Sequence, residues 1–212
     1  MREGEDSEHQ THSKGEGDIA RISTLGYALL TLLARGPLSG YDLAQRMKRP
    51  LGFFWQAQHS QIYPELAGLE EQGCVFHQVI VQEDRPQKKL YTITEAGRSA
   101  LKAWVTQPPL PAPERNELLL KTYAIWLADQ HQAIELFRVQ ERMHAEHLAL
   151  FEQIQAAIEQ EGGGVPHTGE PRFGDYATVR IGVAYEQAYA TWCRWMIEQL
   201  EQALEGQRQD RE

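Results

Sequence analysis

Cysteine is nearly absent: the 212-residue chain has two, Cys74 and Cys193, far apart in sequence. Two distant thiols build no disulfide framework and suit a reducing cytoplasm, where each acts as a small buried hydrophobe. Long apolar runs are missing as well. No stretch reaches the roughly 18 residues of a membrane-spanning helix, although 42% hydrophobic residues supply enough area for a core. The opening "MREGEDSEHQTHSKGEGDIA" has no apolar segment and does not read as a secretory signal. Residues 1–19 are expected to form a disordered acidic tail. Gly162–Gly164 follow a helical stretch rather than a strand, so they make no phosphate loop. No Ser/His/Asp arrangement is readable from spacing. Neither catalysis nor a cofactor has support, and no enzyme is expected.

Positive charge is also scarce, with 21 Lys and Arg against 30 Asp and Glu and a net charge of −9. That total argues against nucleic acid until it is divided. Residues 1–19 carry 2 basic and 6 acidic groups, residues 108–212 carry 9 and 17, and residues 20–107 carry 10 and 7. The middle segment alone is positive, and this asymmetry is the informative quantity.

Within that segment Leu25, Leu29, Leu32 and Leu33 fall on one helical face, which "RGP" terminates. Ser39 and Asp42 then have the form of a capping box for a second helix, with Leu43 and Met47 inward and Pro50 past its end. A loop, "LGFFWQAQH", leads to a third helix within "SQIYPELAGLEEQGCV", closed by Gly73 as a left-handed cap. "CVFHQVIVQ" and "KLYTIT" read as strands joined by the polar turn "EDRPQK". Thr94 caps a fourth helix with Leu101, Trp104 and Val105 inward.

The third helix has an unusual wheel. Ile62, Leu66 and Leu69 stack on one side; Ser60, Pro64, Ala67 and Glu71 lie opposite, with Gly68 near them and Tyr63 on the flank. A face without bulk lets a helix approach another surface closely, and a major groove about 12 Å wide accepts a helix on those terms. Gln58, His59, Ser60, Gln61 and Tyr63 offer donors or acceptors for phosphates and base edges. Pro64 is tolerated in or near the first turn. Arg85, Lys88 and Lys89 are expected at the hairpin tip, where they reach the adjacent phosphates. Taken singly, the helix reads as an ordinary surface helix and the basic cluster as a solubility device; together they are more specific.

"LGYALLTLLARGPLSGYDLAQRM", "SQIYPELAGLEEQGCV" and "KKLYTITEAGRSALKAWV" closely resemble the PadR family of winged helix-turn-helix transcriptional regulators. The likeness covers about residues 22–107, with "LSGYDL", "IYPELAGLEEQG" and "YTITEAGR" in the family's order. It continues more loosely from "ERNELLLKTYAIWL". The resemblance implies a cytoplasmic homodimer that binds a palindromic double-stranded operator and usually represses. It also implies that the Ser60–Tyr63 end of the helix enters the major groove and that the hairpin meets the minor groove or backbone. The DNA-contacting set is then Ser39, Tyr41, Gln58, His59, Ser60, Gln61, Tyr63, Pro64, Arg85, Lys88 and Lys89. The chain departs from the family at Gln61, often glycine, and at Cys74, often leucine.

The expected fold is mainly α. Residues 20–107 form a winged helix-turn-helix domain with a β-hairpin wing; 108–113, "PPLPAP", is a stiff linker; 114–206 is a helical dimerisation and effector domain; 207–212 is a tail. Helical stretches are expected at about 114–127, 130–161 and 174–205, the last two forming an antiparallel pair that gains surface by pairing with a second copy. Ile134, Phe137, Phe151, Ile154 and Ile158 line one of them inwardly, and Tyr176, Val179, Val183, Trp192, Trp195 and Met196 the other. Gly182, Ala184, Ala188 and Ala190 would permit a close dimer seam.

Aromatic residues are many in these helices. Core and interface packing accounts for them; the functional alternative is a pocket for a small aromatic or hydrophobic effector lined by Trp104, Tyr123, Trp126, Trp192 and Trp195. The resemblance carries the same implication, since some family members release DNA on binding phenolic acids or flat hydrophobic drugs. "ERMHAEH" sets Glu141, His144 and His147 about one turn apart, a spacing that could hold a metal. It lacks the zinc-protease spacing, and a solvated or partner-facing polar stripe is the expectation. The competing function is a dimeric winged-helix protein-interaction module without specific DNA binding.

Overall fold

The computed structural model describes residues 22–48, 59–82, 85–109 and 115–209. The N-terminal tail, the loop after the second helix with Pro50 and Gln58, Glu83–Asp84, residues 110–113 of the linker and the last three residues lie outside them. So do the side chains of His59 and Arg85. The chain divides into two compact units at Leu110/Pro111.

The first unit contains α1 (Thr24–Leu33), β1 (Leu38–Ser39), α2 (Gly40–Lys48), α3 (His59–Glu71), β2 (Val75–Gln82), β3 (Arg85–Ile93) and α4 (Glu95–Trp104). Its antiparallel sheet has the order β1-β3-β2. Leu29, Leu30, Leu33, Leu43, Ile62, Leu66, Leu69 and Val75 are all but fully buried in one core, so α1, α2 and α3 each turn an apolar stripe to the same place. Caps fix the ends. Ser23 accepts from the Gly26 N–H at 3.0 Å and donates to Glu65 at 2.7 Å, tying the start of α1 to α3. Gly73, at φ 68°, closes α3 with bonds from its own N–H to Glu70 and from Cys74 to Leu69, the left-handed pattern expected of it. Thr94 accepts from Gly97 and donates to the Gly73 carbonyl, which joins α4 to the base of the hairpin.

Gly97 is required by a close approach rather than by a turn. A Cβ there would lie 2.2 Å from the Cys74 carbonyl oxygen. Gly97→Ala is expected to cost about 3 kcal/mol, at the upper end for overpacking because the obstacle is backbone. A thermal unfolding midpoint within a degree or two of wild type would contradict this.

The second unit contains α5 (Glu117–Tyr123), a 3-10 turn (Ile125–Leu127), α6 (Gln130–Gly162) and α7 (Pro171–Gln209). Asn116 and Asp129 cap α5 and α6, and Gly163, at φ 69°, ends α6. α7 starts at Pro171, three residues before the expected Gly174, because proline suits a first helical turn. α6 and α7 pack on each other along their length. Phe137, Cys193 and Met196 form a buried cluster that Leu118, Ile125, Trp192 and Leu200 extend. Both cysteines are buried, and burial pushes both thiols up.

Two inward expectations fail. Val105 and Trp195 are more than half exposed, at 62% and 52%. Val105 is the C-terminal cap of α4, at the end of the helix. Trp195 lies on the face of α7 turned away from the Phe137 cluster. The small-residue seam also splits: Ala190 is fully buried and a Cβ on Gly182 would come within 3.1 Å of the Phe151 ring, so these two serve packing inside the unit. Ala184 and Ala188 remain exposed.

Candidate nucleic-acid interface

α3 divides cleanly. Ile62, Leu66 and Leu69 are buried to 1% exposure or less, while Ser60, Gln61, Pro64, Ala67 and Glu71 are exposed and Gly68 is half-buried. The face opposite the core is therefore low, with Tyr63, 46% exposed, at its flank. The Tyr63 ring rests against Gly40, where a Cβ would come within 2.6 Å of it, so glycine at the start of α2 allows the tyrosine its place. Pro64 is the sixth residue of α3, later than a first-turn position. It removes the helical donor to the Ser60 carbonyl on the exposed side.

At the start of α2, Ser39 Oγ accepts from the Asp42 N–H at 3.1 Å and donates to Asp42 Oδ2 at 2.6 Å, while the Ser39 N–H reaches the same oxygen at 3.3 Å. The capping box forms as expected, with a consequence for Ser39. It is 4% exposed and its hydroxyl is spent on the cap, so it is not placed for a DNA contact. Tyr41 beside it is exposed, with Gln45 and Arg46 on the same solvent side of α2.

The basic residues of the hairpin sit elsewhere than expected. β3 starts at Arg85, so Lys88 and Lys89 lie in the strand, opposite Ile80 and Val79, not at the tip. Successive strand residues face opposite sides. Lys88 accordingly turns to α2 and pairs with Asp42 at 3.0 Å, and Lys89 is exposed. The Ser39 hydroxyl, and after it Lys88, hold the Asp42 carboxyl below its usual range. Near the tip Val79, Ile80 and Val81 are all exposed.

In the second unit the aromatic candidates disperse. Trp104 belongs to the first unit and stacks flat on Tyr27, centroids 4.5 Å apart. Tyr123 and Trp126 stand out at 88% and 79% exposure. Trp192 meets Phe137 edge-on, and with Trp195, Ala184, Gln187, Ala188 and Thr191 it lines an open depression of about 630 Å³. The five do not line one pocket within the described residues of either unit. The polar stripe is solvated only in part, with the His147 side chain 43% exposed. His144 is buried and bonds Glu186 at 2.5 Å, His147 approaches the same carboxylate at 3.6 Å, and Glu141 pairs with Arg194 at 3.4 Å. No metal-holding cluster occurs among the described residues.

Residues 29–103 match the transcriptional regulator PadR-like family, and residues 114–201 match the C-terminal region of virulence activator alpha. The chain is 34% identical over 176 residues to the negative transcriptional regulator PadR of Bacillus subtilis strain 168, covering 81% of this chain and 94% of that protein. It is similar to the crystal structure of Bacillus subtilis PadR in complex with operator DNA, with TM-score 0.76 and 31% identity over 85% of this chain and 99% of that one. The complex of the same Bacillus protein with p-coumaric acid is similar too, with TM-score 0.67 and 32% identity over 84% and 99%.

Proposed function

The chain belongs to the PadR-like family of transcriptional regulators, and we propose that it is a homodimeric repressor that inserts α3 into the major groove of a palindromic operator. The observation that carries this is the low exposed face of α3, Ser60, Pro64 and Ala67, with Tyr63 at its edge. The likeness to a relative solved on operator DNA supports it. Tyr41, Gln61 and Tyr63 supply polar contacts around that face, and Lys89 supplies a phosphate contact from the wing. The acidic second half repels DNA, which leaves the first unit as the attractive surface.

Dimerisation has a physical motive. Leu120, Tyr123, Trp126 and Leu127 are exposed in sequence-adjacent elements, and apolar surface of that kind marks a partner site. Two copies would hold their α3 helices about 34 Å apart, one turn of DNA. A small aromatic or hydrophobic effector that favours a different spacing would release the operator, as a shift between two populations. The relative solved with p-coumaric acid motivates that class of ligand.

The test is fluorescence anisotropy on duplexes tiled from the gene's own upstream region, across salt concentrations, against scrambled competitor. Saturable binding of one dimer to one tile with steep salt dependence is the expected result. Equal binding to every tile and to scrambled DNA, or none at low salt, would favour a protein-interaction module instead. Salt also separates the two wing lysines. Lys89→Ala should lower the log–log salt slope by about 1, and Lys88→Ala by clearly less, because Asp42 already neutralises Lys88. Equal slopes for both variants would contradict the assignment.

A further inference from the structure

The wing is joined to the third helix at a place no DNA contact explains. Glu70, in the last turn of α3, reaches across to His77 on β2. Its Oε1 accepts from the His77 N–H at 3.0 Å, and its two oxygens lie 2.7 and 2.9 Å from His77 Nδ1. One carboxylate thus holds both the backbone and the side chain of a single strand residue. β2 is an edge strand, so Glu70 takes an amide that would otherwise face out of the sheet. The His77 ring in turn lies 5.6 Å from that of Tyr91, its cross-strand partner. Tyr91 is buried, and burial first, then Glu70 and Tyr63, push its phenol up. Glu70, His77 and Tyr91 therefore form one connected group at the wing base. Tyr63 lies on the same helix, about two turns before Glu70.

We propose that Glu70 and His77 are positioning residues that set the angle between α3 and the wing, so that Tyr63 and Lys89 engage one duplex together. This rests on the DNA-docking reading above. The geometry suits the task. The chain between α3 and β2 is only Gln72–Cys74, and its left-handed cap at Gly73 is fixed locally. That cap sets where the hairpin begins, but it leaves the twist of a long two-stranded ribbon free. A second attachment three residues up β2 removes that freedom. Neither Glu70 nor His77 belongs to the buried core, and both side chains keep partial exposure, 34% and 23%, so the pair can be cut without opening a cavity.

The experiment is a double-mutant cycle on the full-length protein, read as operator affinity at fixed salt. Glu70→Ala and His77→Ala are each combined with Lys89→Ala, and thermal melts verify folding. If Glu70 positions the wing, Glu70→Ala alone weakens operator binding on the order of tenfold, and Lys89→Ala then costs little more. Non-additivity of that size is ordinary for residues in one network. His77→Ala, which cuts the same bond from the other side, should reproduce the result and serves if Glu70→Ala folds poorly. Losses that simply multiply, with Lys89→Ala costing the same in all three backgrounds, would overturn the proposal while leaving the regulator reading intact. Absence of specific binding by the unaltered protein would overturn both.

Discussion

Ser60→Glu should abolish operator binding while leaving the fold at least as stable as before. Ser60 is the second residue of α3 and is exposed. A carboxylate in the first turn of a helix is favourable by a few tenths to about 1 kcal/mol, because the unpaired N–H groups there carry partial positive charge. The same carboxylate would face a duplex with one phosphate per roughly 1.7 Å of axis. Like charges brought together at an interface cost several kcal/mol, which is a loss of at least about hundredfold in affinity. The two effects have opposite signs, so they separate docking from stability in one variant. Anisotropy and a melting curve on the same preparation decide it. Ser60→Ala, which removes only a hydroxyl, should lose a few-fold. Binding of Ser60→Glu within a few-fold of wild type would mean that this end of α3 does not meet DNA.

Such a variant could be designed from sequence because the helical period is strong there. Ile62, Leu66 and Leu69 fix the inner face without ambiguity, and the opposite face follows by rotation. The caps at Ser39, Gly73 and Thr94 were legible for a similar reason: each motif spans only a few neighbouring residues. The hairpin was legible as a hairpin but misjudged in length. Pro86 and the charges around it suggested a broad turn, yet β3 reaches Arg85. Proline is tolerated because β1 flanks β3 only at Leu90 and Tyr91, which leaves the Pro86 end with a single neighbouring strand. That extension carries Lys88 away from the tip and against Asp42. Ser39 shows the limit of a local motif: the box was right, but only tertiary burial reveals that its hydroxyl is unavailable. Pairings between distant residues had no sequence signal. Nothing in "ERMHAEH" announces a partner 42 residues on, and in the stripe expected to be solvated or partner-facing it is His144 that Glu186 closes off.

That pair is the site of the second large effect. Glu186→Ala should destabilise the second unit by about 3 kcal/mol, since removing one partner leaves the other polar group buried and unsatisfied. His144 has no easy retreat. Tyr189 and Tyr185 pack against its ring at 4.8 and 6.4 Å, and their own rings lie tilted against each other at 4.6 Å. The damage would also travel, because the Tyr189 hydroxyl accepts from Asn116 at 2.6 Å and Asn116 caps α5. Replacing both partners by apolar groups of similar volume, His144→Leu with Glu186→Met, should restore most of the loss, because no buried polar atom is then orphaned. Denaturant midpoints at one protein concentration would test both variants, the fixed concentration mattering because the proposed dimer would add to apparent stability. A double variant as unstable as Glu186→Ala would mean that the pair holds α6 and α7 in register rather than merely satisfying itself. A stable double variant that dimerises poorly would place the importance of the pair in orienting Tyr189 and, through Asn116, the start of α5. Full stability of Glu186→Ala would show that His144 finds another partner and that the contact is incidental.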